Sequence, residues 1–398
     1  MPLPRQVSRK DADPGSGRHL VVYGGGGFFG RLVVRDLLQH TLARITIASR
    51  NPRRLDFGAH ESRVQWTRSN FLDADSVRSV IRGADAIISC AGPYQGMSLD
   101  LLEACIRHGV HYIDVADDRD FVERAYRLGP RIEQAGIFAF VGCSVVPGMS
   151  ALLARFASER VGGCDRVRII ISPGTKDTRG PASFASLLST VGEELTVPRD
   201  GSRKVLRGWT ERERVEFPAP VGRRWVYSVM DVADYVTLPQ NLGARSVSFK
   251  IGSEMDILNR AMEMVRWIKS GLGPRMTNRL IPLMRRAIGF LGKFGTSRGA
   301  VMVEVTGPEG QRMALSVSRD SEGQIIPAIL PSLAAGMVLE GELRTSGIVP
   351  LHTWVSEERL RGELMRRGCS LNYRTEPSSP WRIGPPGASP SGEGLELS

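Results

Sequence analysis

Apolar and polar positions divide this chain into two unlike halves. Up to about residue 150, short apolar runs alternate with longer stretches of helical period. Leu20-Val21-Val22-Tyr23, Arg44 to Arg50, Val64 to Arg68, Ala84 to Cys90, Val110 to Val115 and Ile137 to Gly142 have the length and branching of strands. Between them, Arg31 to His40 carries apolar residues at 32, 33, 34, 37 and 38, which is one face of a helix. Ala74 to Gly83, Ser98 to His108 and Phe121 to Ala135 are also helical in pattern. The near-continuous run through Ala86-Ile87-Ile88 is what a strand covered on both faces requires. Strand and helix alternating in this way predict an α/β domain with a doubly wound parallel sheet over residues 18–150.

Beyond Ser150 that alternation stops. Val167 to Ser172 and Ser246 to Ile251 read as strands, and Ala182 to Leu195 as a helix. Val301 to Val305 and Arg312 to Val317 alternate about Gly307-Pro308-Glu309-Gly310, the pattern of an antiparallel hairpin. A second, α+β domain for substrate binding or dimerisation is expected over 151–328. Helices at 331–345 and 356–367 would carry 329–372 back to the first domain. The ends, 1–17 and 373–398, are rich in Pro, Gly and Ser without period and are expected to be disordered.

The first strand runs into four glycines, and Gly25, Gly27 and Gly30 have the G-x-G-x-x-G spacing. The three positions serve a tight turn, close approach of backbone to a pyrophosphate, and packing of helix on sheet. With Phe28 and Phe29 they open the helix whose free N–H groups would face the phosphates, so the first domain reads as Rossmann-type. Strand two ends Ser49-Arg50-Asn51-Pro52-Arg53-Arg54. A carboxylate there would accept from ribose hydroxyls and repel a 2′-phosphate, whereas arginines attract it, which selects NADP(H) over NAD(H). Asn70 and Phe71, after the third strand, would border the adenine. Ala91-Gly92-Pro93-Tyr94, after the fourth, would lie beside the nicotinamide.

Composition changes this picture little. The 398 residues are 41% hydrophobic, enough for two cores, and no 18-residue window is uninterruptedly apolar. No signal-type opening is evident, so the expected home is the cytoplasm. Cys90, Cys105, Cys143, Cys164 and Cys369 have no C-x-x-C spacing and read as reduced thiols. The net charge of +11 is spread along the chain without a nucleic-acid motif, so nucleic acid is not expected as a partner. No H-E-x-x-H or carboxylate cluster marks a metal, and no G-x-S-x-G marks a hydrolase.

The pattern Ala91-Gly92-Pro93-Tyr94, Leu102-Glu103-Ala104-Cys105, Gly109-Val110-His111-Tyr112-Ile113-Asp114 and Pro147-Gly148-Met149 resembles the saccharopine dehydrogenase (saccharopine reductase) superfamily. The resemblance covers the first domain and extends more thinly to Pro220-Val221-Gly222, Thr237-Leu238-Pro239, Gly299 to Gly307 and Ile326-Pro327-Ala328. It implies an NADP(H)-dependent oxidoreductase acting on a small-molecule C=N/CH–NH substrate of amino-acid type, under a second domain that covers the nicotinamide. The superfamily also holds enoyl reductases of lipid intermediates. Reduction of C=C or C=O in a lipid or polyketide intermediate is therefore one alternative, and an NADP-binding scaffold without turnover is another.

Hydride transfer requires positioning and a proton source rather than a nucleophile. Asp114, Tyr94 and Cys143, at strand ends, are the first catalytic candidates, with His111, Tyr112, Asp117, Asp118 and Ser144 behind them. An amino-acid substrate would need an arginine for its carboxylate, and Arg179, Arg223, Arg224 and Arg245 are available. Residues 256–294 interleave apolar side chains with eight Arg or Lys against only Asp256 and Glu263. Such a basic amphipathic insert either packs on the second domain or makes peripheral contact with a membrane or lipid. A homodimer is a further expectation.

Overall fold

The structure is a computed structural model that describes residues 17–52, 54–176, 190–228, 231–271, 290, 294–376 and 379–384. The first half alternates as β1 (His19–Tyr23), α1 (Phe28–His40), β2 (Arg44–Ser49), β3 (Val64–Arg68), α2 (Ala74–Ile81), β4 (Ala86–Ser89), α3 (Asp100–His108), β5 (His111–Asp114), α4 (Arg119–Tyr126), α5 (Gly129–Gln134) and β6 (Phe138–Phe140). These strands pair in parallel in the order β3-β2-β1-β4-β5-β6. Winding reverses between β1 and β4, and this topological switch opens a crevice beyond their carboxyl ends.

After α6 (Ser150–Arg160) the chain builds β7 (Arg166–Ser172), β8 (Glu194–Arg199), β9 (Ser202–Arg207), β10 (Thr210–Glu216), β11 (Arg223–Ser228), α7 (Asp234–Leu242), β12 (Ser246–Ile251), α8 (Asp256–Gly271), β13 (Gly299–Thr306) and β14 (Arg312–Arg319). It closes with α9 (Ile326–Glu340), β15 (Gly347–Ile348), α10 (Glu357–Arg366), β16 (Ser370–Arg374) and β17 (Arg382–Ile383). The second sheet runs β10-β11-β12-β7-β13-β14-β16-β17, and β8 and β9 form a separate hairpin. Gly299–Thr306 and Arg312–Arg319 pair antiparallel residue by residue, as their alternation requires.

Two helices fasten the sheets together. The helical run Gly323–Glu340 that contains α9 is long and apolar enough to span a bilayer, but it lies largely buried as a core helix, against α1 and against β4, β5 and β6. Leu330 and Ala334 of α9 share one apolar cluster with Val22 and Leu37 of the first domain and Val303 and Leu315 of the second. Beyond α10, Arg367 donates from Nε to both oxygens of Asp36 in α1 at 2.9 and 3.0 Å, with both side chains buried. Two charges withdrawn from water need this geometry, and removing one partner strands the other.

Three expectations are corrected. Residues 182–189 of the helix expected over 182–195 lie outside the described set, but Glu194 and Leu195 already belong to β8. Four strands from 194 to 228 went unread because β9 and β10, Ser-Arg-Lys-Val-Leu-Arg and Thr-Glu-Arg-Glu-Arg-Val-Glu, look like solvated surface. Cross-strand pairs such as Arg207 with Glu194 at 3.7 Å and Glu216 with Arg223 at 3.8 Å hold those charges in the ladder. The segment after 328 also does more than return to the first domain. β15 joins the first sheet beside β6, and β16 crosses back to the second sheet. The strand therefore runs through Arg374, and Arg382–Ile383 pairs with Asn372 and Tyr373, where disorder was expected from 373. Backbone pairing to β14 supplies what local composition lacked.

Candidate functional site

Where β1 ends, Gly24 takes φ +74°, and a Cβ there would stand 2.9 Å from the backbone N of Ala91. Only glycine permits this turn to pass so close to the next strand end. A Cβ on Gly30 would fall 2.2 Å from the Gly24 carbonyl oxygen, and one on Gly25 would fall 2.9 Å from Ile47 Cγ2. Gly25 and Gly30 thus fit helix to sheet behind the turn and do not line the cleft. Gly27 does line it, as the N-cap of α1, with its N–H donated to Gly24 O at 2.9 Å.

No side chain caps α1, and no acid lies in its first turn. Its leading N–H groups and the positive end of the helix dipole are what an oxyanion needs. Phe28 and Phe29 flank this turn on the cleft, their rings edge to face at 5.1 Å.

The cleft measures ≈ 840 Å³ and lies between the carboxyl edge of the first sheet and one face of the second. On the first-domain side, Ser49 and Arg50 at the end of β2, then Phe71 and Leu72, make one end; Ala91, Gly92, Pro93 and Tyr94 make the centre. Arg50 is exposed and free to turn toward a phosphate. Arg54 and Asn51 stand outside the lining, and Arg53 lies outside the described residues. Asn70 also stands outside, its Oδ1 accepting from Leu72 N at 3.3 Å to hold the turn. The arrangement fits an NADP(H)-type molecule, with a backbone cradle for pyrophosphate, an arginine at the end of β2, and an open trough between.

The three leading catalytic candidates are placed differently from expectation. Asp114 is fully buried and outside the cleft, its Oδ1 accepting from Gly142 N at 2.7 Å and Ala116 N at 3.0 Å. It braces the ends of β5 and β6, and desolvation pushes its pKa up to about 6 against those hydrogen bonds. Cys143 is buried in the core beside it, with its thiol held well above the ordinary range by desolvation, and has no nucleophilic role open to it. Tyr94 does line the cleft, but its hydroxyl donates to Ser89 O at 2.7 Å and accepts from Val115 N at 3.4 Å. Burial pushes its pKa up as well, which leaves the ring and not the hydroxyl for a ligand. His111 is structural, with Nδ1 accepting from Phe138 N at 3.1 Å, and Asp118 caps α4 by accepting from Phe121 N at 2.9 Å.

Asp117 and Ser144, from the second rank of candidates, do reach the cleft. Asp117 keeps partial solvent access, yet protein surrounds its carboxyl, and desolvation pushes the pKa up to about 6. Cys90 also lines the cleft, with a thiol pushed up to about 12 by desolvation.

The opposite wall was not legible from local pattern. Its apolar part is Ile171 and Pro173 at the end of β7, Phe249 and Ile251 of β12, Ala300 and Val301 of β13, and Ile326 and Pro327 opening α9, and Ser172 and Gln324 add polar side chains. Only pairing across the second sheet brings these residues together. The arginines expected to clamp a carboxylate stand elsewhere. Arg223 faces Glu216 at 3.8 Å and Arg245 faces Asp165 at 3.4 Å, Arg224 does not line the cleft, and Arg179 lies outside the described residues. Among the described residues, Arg50 is the cleft's one arginine.

Residues 20–140 match the family model described as the saccharopine dehydrogenase NADP binding domain. A probable mitochondrial saccharopine dehydrogenase-like oxidoreductase of Arabidopsis thaliana is 28% identical over 152 residues, 34% of each chain. A carboxyaminopropylagmatine dehydrogenase of Synechocystis is 27% identical over 149 residues, 35% of this chain and 37% of that one. A trans-acting enoyl reductase of Mycobacterium ulcerans is 30% identical over 115 residues, 27% of this chain and 28% of that one. These matches span about a third of each relative's length. The likeness of fold reaches further: saccharopine dehydrogenase (L-Glu forming) of Saccharomyces cerevisiae superposes with a TM-score of 0.62 at 14% identity, over 90% of this chain and 100% of that one. Residues 20–140 are thus a saccharopine dehydrogenase-type NADP-binding domain, and beyond them the likeness to saccharopine dehydrogenase is one of fold.

Proposed function

We propose that this protein is an NADP(H)-dependent oxidoreductase whose substrate presents an apolar body, of lipid or polyketide type, to the second domain. The observation that carries this reading is the inequality of the two cleft walls. One offers backbone N–H groups, Arg50 and Asp117 beside Phe28, Phe29 and Phe71, while the other offers Ile171, Phe249, Ile251, Ala300 and Val301, with Ser172 and Gln324 as polar side chains and no charged side chain among its described lining residues. An apolar wall rewards burial of hydrocarbon and leaves a substrate carboxylate without a partner.

Gly27 and the first turn of α1 would hold the pyrophosphate, Arg50 the 2′-phosphate, Phe71 and Leu72 the adenine, and Ala91 to Tyr94 the nicotinamide side. Bound there, the cofactor supplies or accepts a hydride. The chain's own part is to exclude water with the second-domain wall and to move a proton at Asp117 Oδ. A carboxyl with a pKa near 6 is suited to either direction close to neutral pH. The substrate bond is C=C or C=O on the strength of the wall. A secondary amine or imine is a second reading, supported by Asp117 as the carboxylate among the described lining residues and by the dehydrogenase relative's name.

The test is NADPH oxidation with enoyl thioesters, ketones and imines of graded chain length. Turnover that rises with hydrocarbon length supports the proposal. Preference for short dicarboxylic imines would overturn it. Tight NADPH binding with no oxidation of any compound would instead favour a non-catalytic scaffold.

A further inference from the structure

The loop that carries Asp117 belongs to the first domain, yet residues of the second domain hold it. The Asp117 carbonyl accepts from Ala233 N at 3.2 Å, just before α7. Ala233 is itself buried with Ala116 and Phe121 in the first domain's apolar cluster. Two residues beyond Asp117, Arg119 opens α4 and sends its guanidinium across the domain boundary. There it forms an ion pair with Asp231, donates to the Thr196 carbonyl of β8 at 2.8 Å and lies over the Tyr235 ring, 5.3 Å from its centre. Arg124, further along α4, shows the ordinary alternative, since its guanidinium pairs with Asp120 of the same helix at 2.7 Å.

Between these ties lies the carboxyl proposed to move a proton. Its pKa of about 6 comes first from desolvation, with Asp118 beside it pushing the same way. That shielding lasts only while the loop stays pressed between the two domains. The other charged groups packed about it are Arg119 and Glu123 of α4, Asp231, and Asp234, which is buried and accepts from Ser150 Oγ at 2.5 Å. The described lining of the cleft adds Arg50. Of the groups around the loop, Arg119 is the cation, and it reaches three second-domain residues at once. Freed from them, the loop would admit water to the Asp117 carboxyl and let it drift from the reacting atom, and a displacement of about an ångström costs rate steeply.

We infer that Arg119 is a positioning residue, which clamps the loop between β5 and α4 to the second domain and so fixes Asp117 at the cleft. This rests on the reading of Asp117 as the group that moves the proton. The experiment compares Arg119→Ala and Arg119→Lys in the full chain, using the best-turned-over compound among the enoyl thioesters, ketones and imines above. Arg119→Ala should lower kcat by about 10- to 100-fold and leave NADPH affinity unchanged. Its pH–rate inflection should move from about 6 toward the ordinary aspartate value of about 4, so that reductive turnover is lost at a lower pH. Arg119→Lys keeps the charge for Asp231 and should recover part of both. In an Asp117→Asn background, Arg119→Ala should cost nothing further. Hydrogen exchange needs no substrate: Arg119→Ala should speed exchange across residues 115–119 and leave the glycine turn after β1 unchanged. Unchanged exchange at 115–119, or an unmoved inflection with equal losses in both backgrounds, would overturn the inference. Wild-type kcat in Arg119→Ala, with turnover lost in Asp117→Asn, would overturn it while leaving the role of Asp117 standing. Turnover that survives Asp117→Asn would remove both.

Discussion

The two walls of the cleft are made in different ways. The first-domain wall brings main chain to the centre of the cleft, at Gly24, Gly27, Ala91 and Gly92, with Phe28, Phe29, Arg50, Phe71 and Tyr94 around it. The second is largely side chain, gathered from β7, β12, β13 and the start of α9. A phosphate-bearing carrier can be met by backbone N–H groups and one arginine, so its site is written in a few consecutive residues. An apolar substrate must be met by surface, so its site is written across residues 171–327 and takes shape only when the sheet pairs.

Breaking this comparison at its catalytic point should give the largest effect. Asp117→Asn is expected to reduce turnover by about 10²–10⁴-fold while NADPH affinity stays intact. The raised pKa fixes the pH dependence. The carboxyl is protonated below about 6 and loses its proton above it, so reductive turnover falls as pH rises through about 6, and oxidative turnover falls as pH drops through it. In Asp117→Asn that inflection should vanish from the pH–rate profile.

The main-chain wall is tested next. Gly30→Ala forces a Cβ toward the Gly24 oxygen, 2.2 Å away, and should cost about 1–3 kcal/mol of stability in denaturant titration, with a more than ~10-fold loss of NADPH affinity by calorimetry. Arg50→Ala should weaken NADPH binding by about 10- to 100-fold, from a lost charge-assisted contact, and leave NADH binding unchanged. The side-chain wall should respond in the opposite sense. Val301→Ser ought to raise KM for the apolar substrate by roughly fivefold with no change in NADPH affinity. If Val301→Ser weakened the cofactor, or Arg50→Ala altered only the substrate, the division of labour between the walls would fail.

The same contrast explains what could be read in advance. β1, the glycine turn and α1 were legible because strand, turn and helix follow one another within 22 residues and each carries a local period. Gly24 escaped notice because its need arises from the approach of Ala91, a neighbour in space only. Asp114 and Cys143 were drawn into the catalytic set by lying at strand ends, yet sequence does not say which way a strand-end side chain turns. Asp114 turns into the protein to bind Gly142 N and Ala116 N, and Asp117, three residues later, faces the cleft. β9 and β10 were missed because their charges pair across the ladder, Arg207 with Glu194 and Glu216 with Arg223, which single-strand patterning cannot show.

The most direct test is the structure of this protein bound to NADP⁺. It should show the pyrophosphate at the first turn of α1, the 2′-phosphate within reach of Arg50, and the nicotinamide beside Ala91 to Tyr94 with Ile251 and Val301 across from it. A cofactor bound elsewhere, or a nicotinamide facing charged side chains from the second sheet, would contradict the account.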